Sequence, residues 1–344
     1  MGLEFLKNYG GSRLGDYPPQ PILNNMDEDE RAEKVNLEYE TNGEPWIPKD
    51  LSVPDTWRPR DWDERPVRFV DGKNVGQTIA TLRAPGGYIV PIRLAQVGSV
   101  VMQVTDGQCC REFELVERVV SMIIDAFPWN EIESFASALQ EKDFRLLPVN
   151  PGGGLSYDFE RLRKSTDNRT MDEMELLEEA AIAQSDDIPT VIDGRLEPRI
   201  GGFDPNNSPI FGVIKSQQQN YLDTQAIQAL YQLEVGQRTP VFIIQERKLS
   251  VASWYLRLSG TARAMPSWGI VRIEVPQAWF ESKGKDWQLV DQLSQTIYLY
   301  RCREQSYGRA PVSLHPIVRA EESLGALFTP TSVITNRFYR LTGL

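Results

Sequence analysis

Histidine and cysteine are nearly absent from this chain of 344 residues, which has one His, His315, and three Cys. A lone histidine excludes a multi-histidine zinc site and argues against a histidine-activated nucleophile. Cys109, Cys110 and Cys302 cannot build a disulfide framework, and adjacent Cys109 and Cys110 lack the C-x-x-C spacing of a metal knuckle or redox pair. They read as reduced core thiols. Also missing is any apolar run near the roughly 20 residues that span a bilayer, and the start, Met1 to Gly11, lacks a basic stretch followed by an apolar one. The expectation is a soluble, cytoplasmic protein in which carboxylates must build any metal site.

Apolar material is sufficient for a sizeable core, because 41% of residues are hydrophobic and 25% charged, close to the globular average. The formal net charge of -11 is uneven. Residues 1–64 hold 7 basic and 15 acidic side chains, a charge of -8, which leaves -3 for the remainder. The same stretch carries seven prolines, the acidic run Asp27 to Glu30, and Trp46, Trp57 and Trp62. Such a segment reads as an extended arm that packs through its aromatics, so residues 1–64 are set apart as an N-terminal extension and 65–344 as the main domain.

From Pro66 the pattern is β-rich. Val67 to Val70 ends at Asp71-Gly72, a turn signal; Gly87 to Leu94 and Val97 to Val104 follow as a meander. Helical spacing then covers about Glu112 to Ala126 and Asn130 to Lys142. Gly152-Gly153-Gly154 lacks the Lys-Ser/Thr of a phosphate loop and reads as a linker. Thr170 to Ala183 reads as a helix, and Ile188 to Ile192, Phe211 to Ile214, Pro240 to Gln245, Ser253 to Leu258 and Gly269 to Val275 as strands. A final helix is expected from about Ser313 to Phe328. The order predicts an α/β fold, a mixed sheet flanked by helices, with no internal repeat.

Two strands end alike, Val70-Asp71-Gly72 and Ile192-Asp193-Gly194, so each aspartate sits at a sheet's carboxyl edge, where α/β folds place their sites. Between them, Glu175, Glu178 and Glu179 share one side of a helix at i, i+3 and i+4. Strand aspartates joined by a helix glutamate suit a paired-metal phosphodiesterase, since hard divalent ions prefer oxygen ligands.

The series Val67-Arg68-Phe69-Val70-Asp71-Gly72, Val191-Ile192-Asp193-Gly194-Arg195-Leu196, Gly212-Val213-Ile214-Lys215-Ser216 with Tyr221-Leu222, Trp254 to Leu258 and Gly269 to Pro276 resembles, in order and spacing, the NurA nucleases. The resemblance covers about residues 65 to 330. It implies an RNase H-like core, manganese- or magnesium-dependent cleavage of DNA, a ring-shaped homodimer and partnership with a hexameric HerA-type ATPase. Carried over, Asp71 and Asp193 match the strand carboxylates, and the helix carboxylate falls among Glu175, Glu178 and Glu179, of which Glu175 enters the ligand set. Lys215 matches a lysine facing the scissile phosphate, and Arg257 and Arg272 match basic, DNA-contacting positions. Near the carboxyl end the family pattern is a proline, a few apolar residues and then Ala-His, whereas this chain reads His315-Pro316-Ile317-Val318-Arg319-Ala320-Glu321. Glu321 thus takes the histidine's place as the fourth site group, with His315 outside the helix.

Two further readings compete: a catalytically silent RNase H-like scaffold that grips DNA or caps the motor, and a relative of PIWI domains. The second lacks a cluster for a guide 5′-phosphate. The acidic balance argues against tight autonomous DNA binding, because phosphate neutralisation dominates affinity for duplex. It does not argue against a nuclease fed by a translocase.

Overall fold

The computed structural model describes residues 2–14, 34–54, 57–150, 158–215, 221–260, 266–304 and 307–344. The acidic run Asp27 to Glu30 and the glycine triplet 152–154 lie outside them. In chain order the elements are α1 (Phe5–Asn8), β1 (Ser12–Arg13), β2 (Lys34–Asn36), β3 (Arg68–Arg83), β4 (Ile89–Thr105), β5 (Gln108–Ile123), α2 (Trp129–Gln140), β6 (Arg145–Val149) and α3 (Phe159–Ile182). There follow β7 (Thr190–Asp193), β8 (Ile210–Ile214), α4 (Thr224–Gln232), β9 (Phe242–Gln245), β10 (Ser250–Arg257), β11 (Ile270–Pro276), α5 (Gln277–Ser282), α6 (Trp287–Tyr300), α7 (His315–Leu327) and α8 (Thr331–Thr342).

One 11-stranded sheet organises the chain in the order β2-β9-β10-β11-β8-β7-β3-β4-β5-β6, with β1 added to the far end of β3. Most neighbours are antiparallel; β3–β7, β7–β8 and β5–β6 are parallel. The fold is therefore mixed α/β, as expected. Alternation along the strands sends Phe69, Val191, Phe211 and Ile273 to one face, against Ile317, Ala320 and Leu324 of α7 and Leu293 of α6. Val70, Ile192 and Ile210 point to the other face, against Ala181 and Ile182 of α3 and Leu230 of α4. A third cluster joins Phe5, Phe135 and Phe338, from α1, α2 and α8, at the outer part of the β3–β5 meander. No helix among the described residues is long and apolar enough to cross a membrane.

Residues 1–64 meet the sheet at two places, α1 and β1 at the outer part of β3 and residues 34–46 at the β9 edge. Strand β2 pairs with β9, and Trp46 is buried against Phe242 with ring centroids 5.7 Å apart. Glu40 accepts hydrogen bonds from the Arg238 guanidinium and from the Val241 amide, at 2.9 and 2.6 Å.

Three sequence expectations are corrected, and glycine accounts for two of them. Strand β3 does not turn at Asp71-Gly72 but runs on to Arg83, and β4 is continuous through Gly98. These glycines mark close approach: a Cβ at Gly72 would lie 2.7 Å from the Glu178 carboxylate, and one at Gly98 would lie 2.8 Å from the Leu115 carbonyl and 3.0 Å from the Phe328 ring. The third correction is 112–126, expected helical, where 108–123 is strand β5. Its β-branched Val116, Val119 and Val120 favour extended backbone, and Phe113 and Leu115 alternate with charged neighbours. The β4–β5 hairpin closes at Asp106-Gly107, both with positive φ (53° and 78°), as a two-residue turn of the primed type demands.

Helix α7 rests on β3 and β4 at Gly98, so a side chain there must push the two layers apart. Gly98→Val is expected to lower unfolding free energy by roughly 1–3 kcal/mol, the usual cost of overpacking, with Gly98→Ala milder. Urea midpoints check this; an unchanged midpoint would show that the α7 contact yields freely.

Candidate metal centre

The short parallel pairing of β3 with β7 builds the site. Arg68, Phe69 and Val70 lie beside Thr190, Val191 and Ile192, and the ladder stops there, so Asp71 and Asp193 are the next residue on each strand. Both share the face of Phe69 and Val191, which α7 covers. On α7, buried Ile317, Ala320 and Leu324 seat the helix, and Glu321 follows Ala320 at the edge of that contact. Oxygens of Asp71, Asp193 and Glu321 lie within 4.8 Å of one another.

Lys215, the residue after β8, lies among these carboxylates. Its Nζ is 2.7 Å from Asp193 Oδ2 and 3.6 Å from Glu321 Oε1. Asp71 is 5% exposed, and its Oδ2 has no hydrogen-bond partner among the described residues. Burial pushes the Asp71 carboxyl well above the usual carboxylate range, and Asp193, Glu178 and Glu321 push the same way against the pull of Lys215. Tyr307 Oη donates a hydrogen bond to Glu321 Oε2. Burial raises the Tyr307 hydroxyl, and the hydrogen bond with Glu321 adds to this. No sequence signal marks Tyr307, which lies in the irregular stretch before α7.

The donor set fits a small, hard divalent cation. It offers only carboxylate oxygens, from three separate elements, and one of those oxygens is buried without a partner. Asp71, Asp193 and Glu321 are the residues that would hold it.

Other expected site residues are elsewhere. Helix α3 packs on the opposite face of the sheet, so Glu175, Glu178 and Glu179 do not join the cluster. Glu178 is fully buried and its Oε2 accepts from Arg199 Nε at 2.9 Å and Nη2 at 2.5 Å. Complete burial lifts the Glu178 carboxyl to about 7, against the pull of Arg199. Glu175 lies 3.8 Å from Arg199, and Glu179 packs against Gly201 and Gly202. Arg257 is buried and donates to the carbonyls of Trp268 and Pro266, at 2.7 and 2.9 Å. Arg272 donates to Glu274 and Ser253 and stacks over Tyr221. Both arginines are thus spent on protein atoms rather than offered at the surface. His315 is exposed, and it is the first residue of α7 rather than outside it; α7 is also not the final helix, because α8 follows.

A second group of charges lies beyond β8 on the α3 face. Glu274 accepts from the Leu196 amide and from Arg272, while Glu246 accepts from Arg195 at 2.9 Å. Burial and the nearby Glu274 push the Glu246 carboxyl up to about 7, with Arg195 opposing.

No family model matches the sequence, and no curated protein does. Among solved structures, the NurA nuclease from Sulfolobus solfataricus is similar over 90% of this chain and 89% of that one, with a TM-score of 0.46 and 12% sequence identity.

Two outcomes follow from this electrostatic layout. Arg199→Ala would leave Glu178 buried without its partner and is expected to cost about 3–5 kcal/mol in denaturant melts. For Glu246 the folded carboxyl titrates at about 7, above its unfolded value near 4.3. The fold therefore binds the proton more tightly than the unfolded chain, and stability falls as pH rises through that window. Glu246→Gln is expected to melt higher than wild type at pH 8, with the gap narrowing toward pH 5. A gap independent of pH would refute this assignment.

Proposed function

We propose that the chain is a divalent-metal-dependent deoxyribonuclease of the NurA type, with an RNase H-like core, that hydrolyses phosphodiester bonds. The convergence of Asp71, Asp193 and Glu321, with a buried Asp71 oxygen lacking any partner, carries this reading. It is supported by the ordered motif series that runs from Val67 to Pro276. A bound manganese or magnesium ion would supply Lewis-acid stabilisation of a phosphoryl oxygen and a more acidic water.

The chain's own groups do the rest. Asp71 and Asp193 follow directly on adjacent parallel strands, so the sheet fixes the spacing and direction of the backbone that carries them. Tyr307 orients Glu321 by its hydrogen bond. Lys215 brings a positive charge to the rim of the acidic cluster, where a DNA phosphate would otherwise meet three carboxylates. The overall negative charge suits a substrate delivered by a HerA-type hexameric ATPase rather than captured from solution. A homodimer, with residues 1–64 at its interface or against the motor, completes the proposal, with DNA end processing in repair or phage defence as its setting.

Asp71→Asn is expected to abolish manganese-dependent cleavage of linear DNA while the melting temperature stays at or above that of wild type. Glu321→Gln is expected to reduce activity sharply, whereas His315→Ala stays near wild type because His315 is exposed and outside the cluster. Retained cleavage in Asp71→Asn would refute the assignment. Absence of cleavage in the wild type, with DNA binding intact and the motor present, would favour the silent scaffold.

A further inference from the structure

We propose that the cluster takes one divalent ion per chain, because the Lys215 ammonium stands as a built-in second cation; this rests on the metal-site reading above. Strand β8 is the parallel neighbour of β7, so Lys215 emerges on the face of Val213 and Phe211, beside Asp193. Its side chain is only 12% exposed and its Nζ lies between two carboxylates, 2.7 Å from Asp193 and 3.6 Å from Glu321. Paired ions in phosphodiesterases sit about 3.5–4 Å apart and share carboxylate oxygens. Here the ammonium already holds the side of the cluster formed by Asp193 and Glu321, and the side left without a partner is Asp71 Oδ2.

Charge points the same way. Counted as formal charges, three carboxylates and one ammonium sum to two negative, which one divalent ion cancels; a second would leave an excess positive charge among partly buried groups. Ligands for a second ion are also spent. Glu175, Glu178 and Glu179 lie across the sheet, and Glu178 is engaged by Arg199.

Calorimetric titration of the full chain with manganese, in the absence of DNA, reads the stoichiometry directly. The expected result is one ion per chain for wild type, two for Lys215→Ala, which removes the charge and opens space, and a return to one for Lys215→Arg. Asp71→Asn serves as the control and is expected to lose binding. Two ions in wild type, or one in a Lys215→Ala protein that melts cooperatively, would overturn the inference and leave the metal site standing. No binding by wild type would overturn both. If Lys215→Ala fails to fold, the counts for wild type and Lys215→Arg decide, and two ions in either refutes the role of the lysine.

Discussion

Everything at the acidic cluster depends on a parallel ladder three residues long. Arg68 to Val70 against Thr190 to Ile192 is the whole of the β3–β7 ladder, and it determines which side of the sheet each aspartate meets. Side chains alternate, so a slip of one residue would carry Asp71 to the α3 face and leave Asp193 alone under α7. The register is defended by burial on both faces. Phe69 and Val191 are locked beneath α7, Val70 and Ile192 beneath α3, and the Arg68 guanidinium reaches the carbonyl of Ser185 at 2.7 Å and Glu112 at 2.9 Å.

Placing three carboxylates so close costs free energy, and the fold limits that cost in two ways. Lys215 neutralises part of the charge, and Tyr307 gives one oxygen of Glu321 a donor. Asp71 feels the pull of Lys215 but has no hydrogen-bond donor at Oδ2 among the described residues, and burial and its acidic neighbours hold its carboxyl well above the usual carboxylate range. Residual repulsion of this kind is the driving force with which a cation is bound, so the site is poised rather than relaxed.

Much of this was legible in residue order and some was not. Asp71 and Asp193 stood out because apolar runs lead into them, and Glu321 because a proline and an alanine fixed its place on a helix. The strand ends are not legible: Asp-Gly usually marks a turn, but Gly72 and Gly98 are glycines because a neighbouring layer leaves no room for a Cβ, a tertiary cause that local pattern cannot express. Segment 112–126 is ambiguous for a related reason, since its charged residues fit a helix face as well as the solvent side of a strand. The α3 glutamates were correctly grouped on one side of one helix, yet nothing in their spacing says which face of the sheet that helix covers.

Gly72 lets the opposed faces influence one another. A Cβ at Gly72 would lie 2.7 Å from the fully buried carboxylate of Glu178, so the strand backbone next to Asp71 is in direct contact with that carboxylate. Glu178 adds to the upward shift at Asp71, behind burial and Asp193. The Glu178–Arg199 ion pair and the acidic cluster therefore meet back to back across the sheet, joined through the one position on β3 that has no side chain between them.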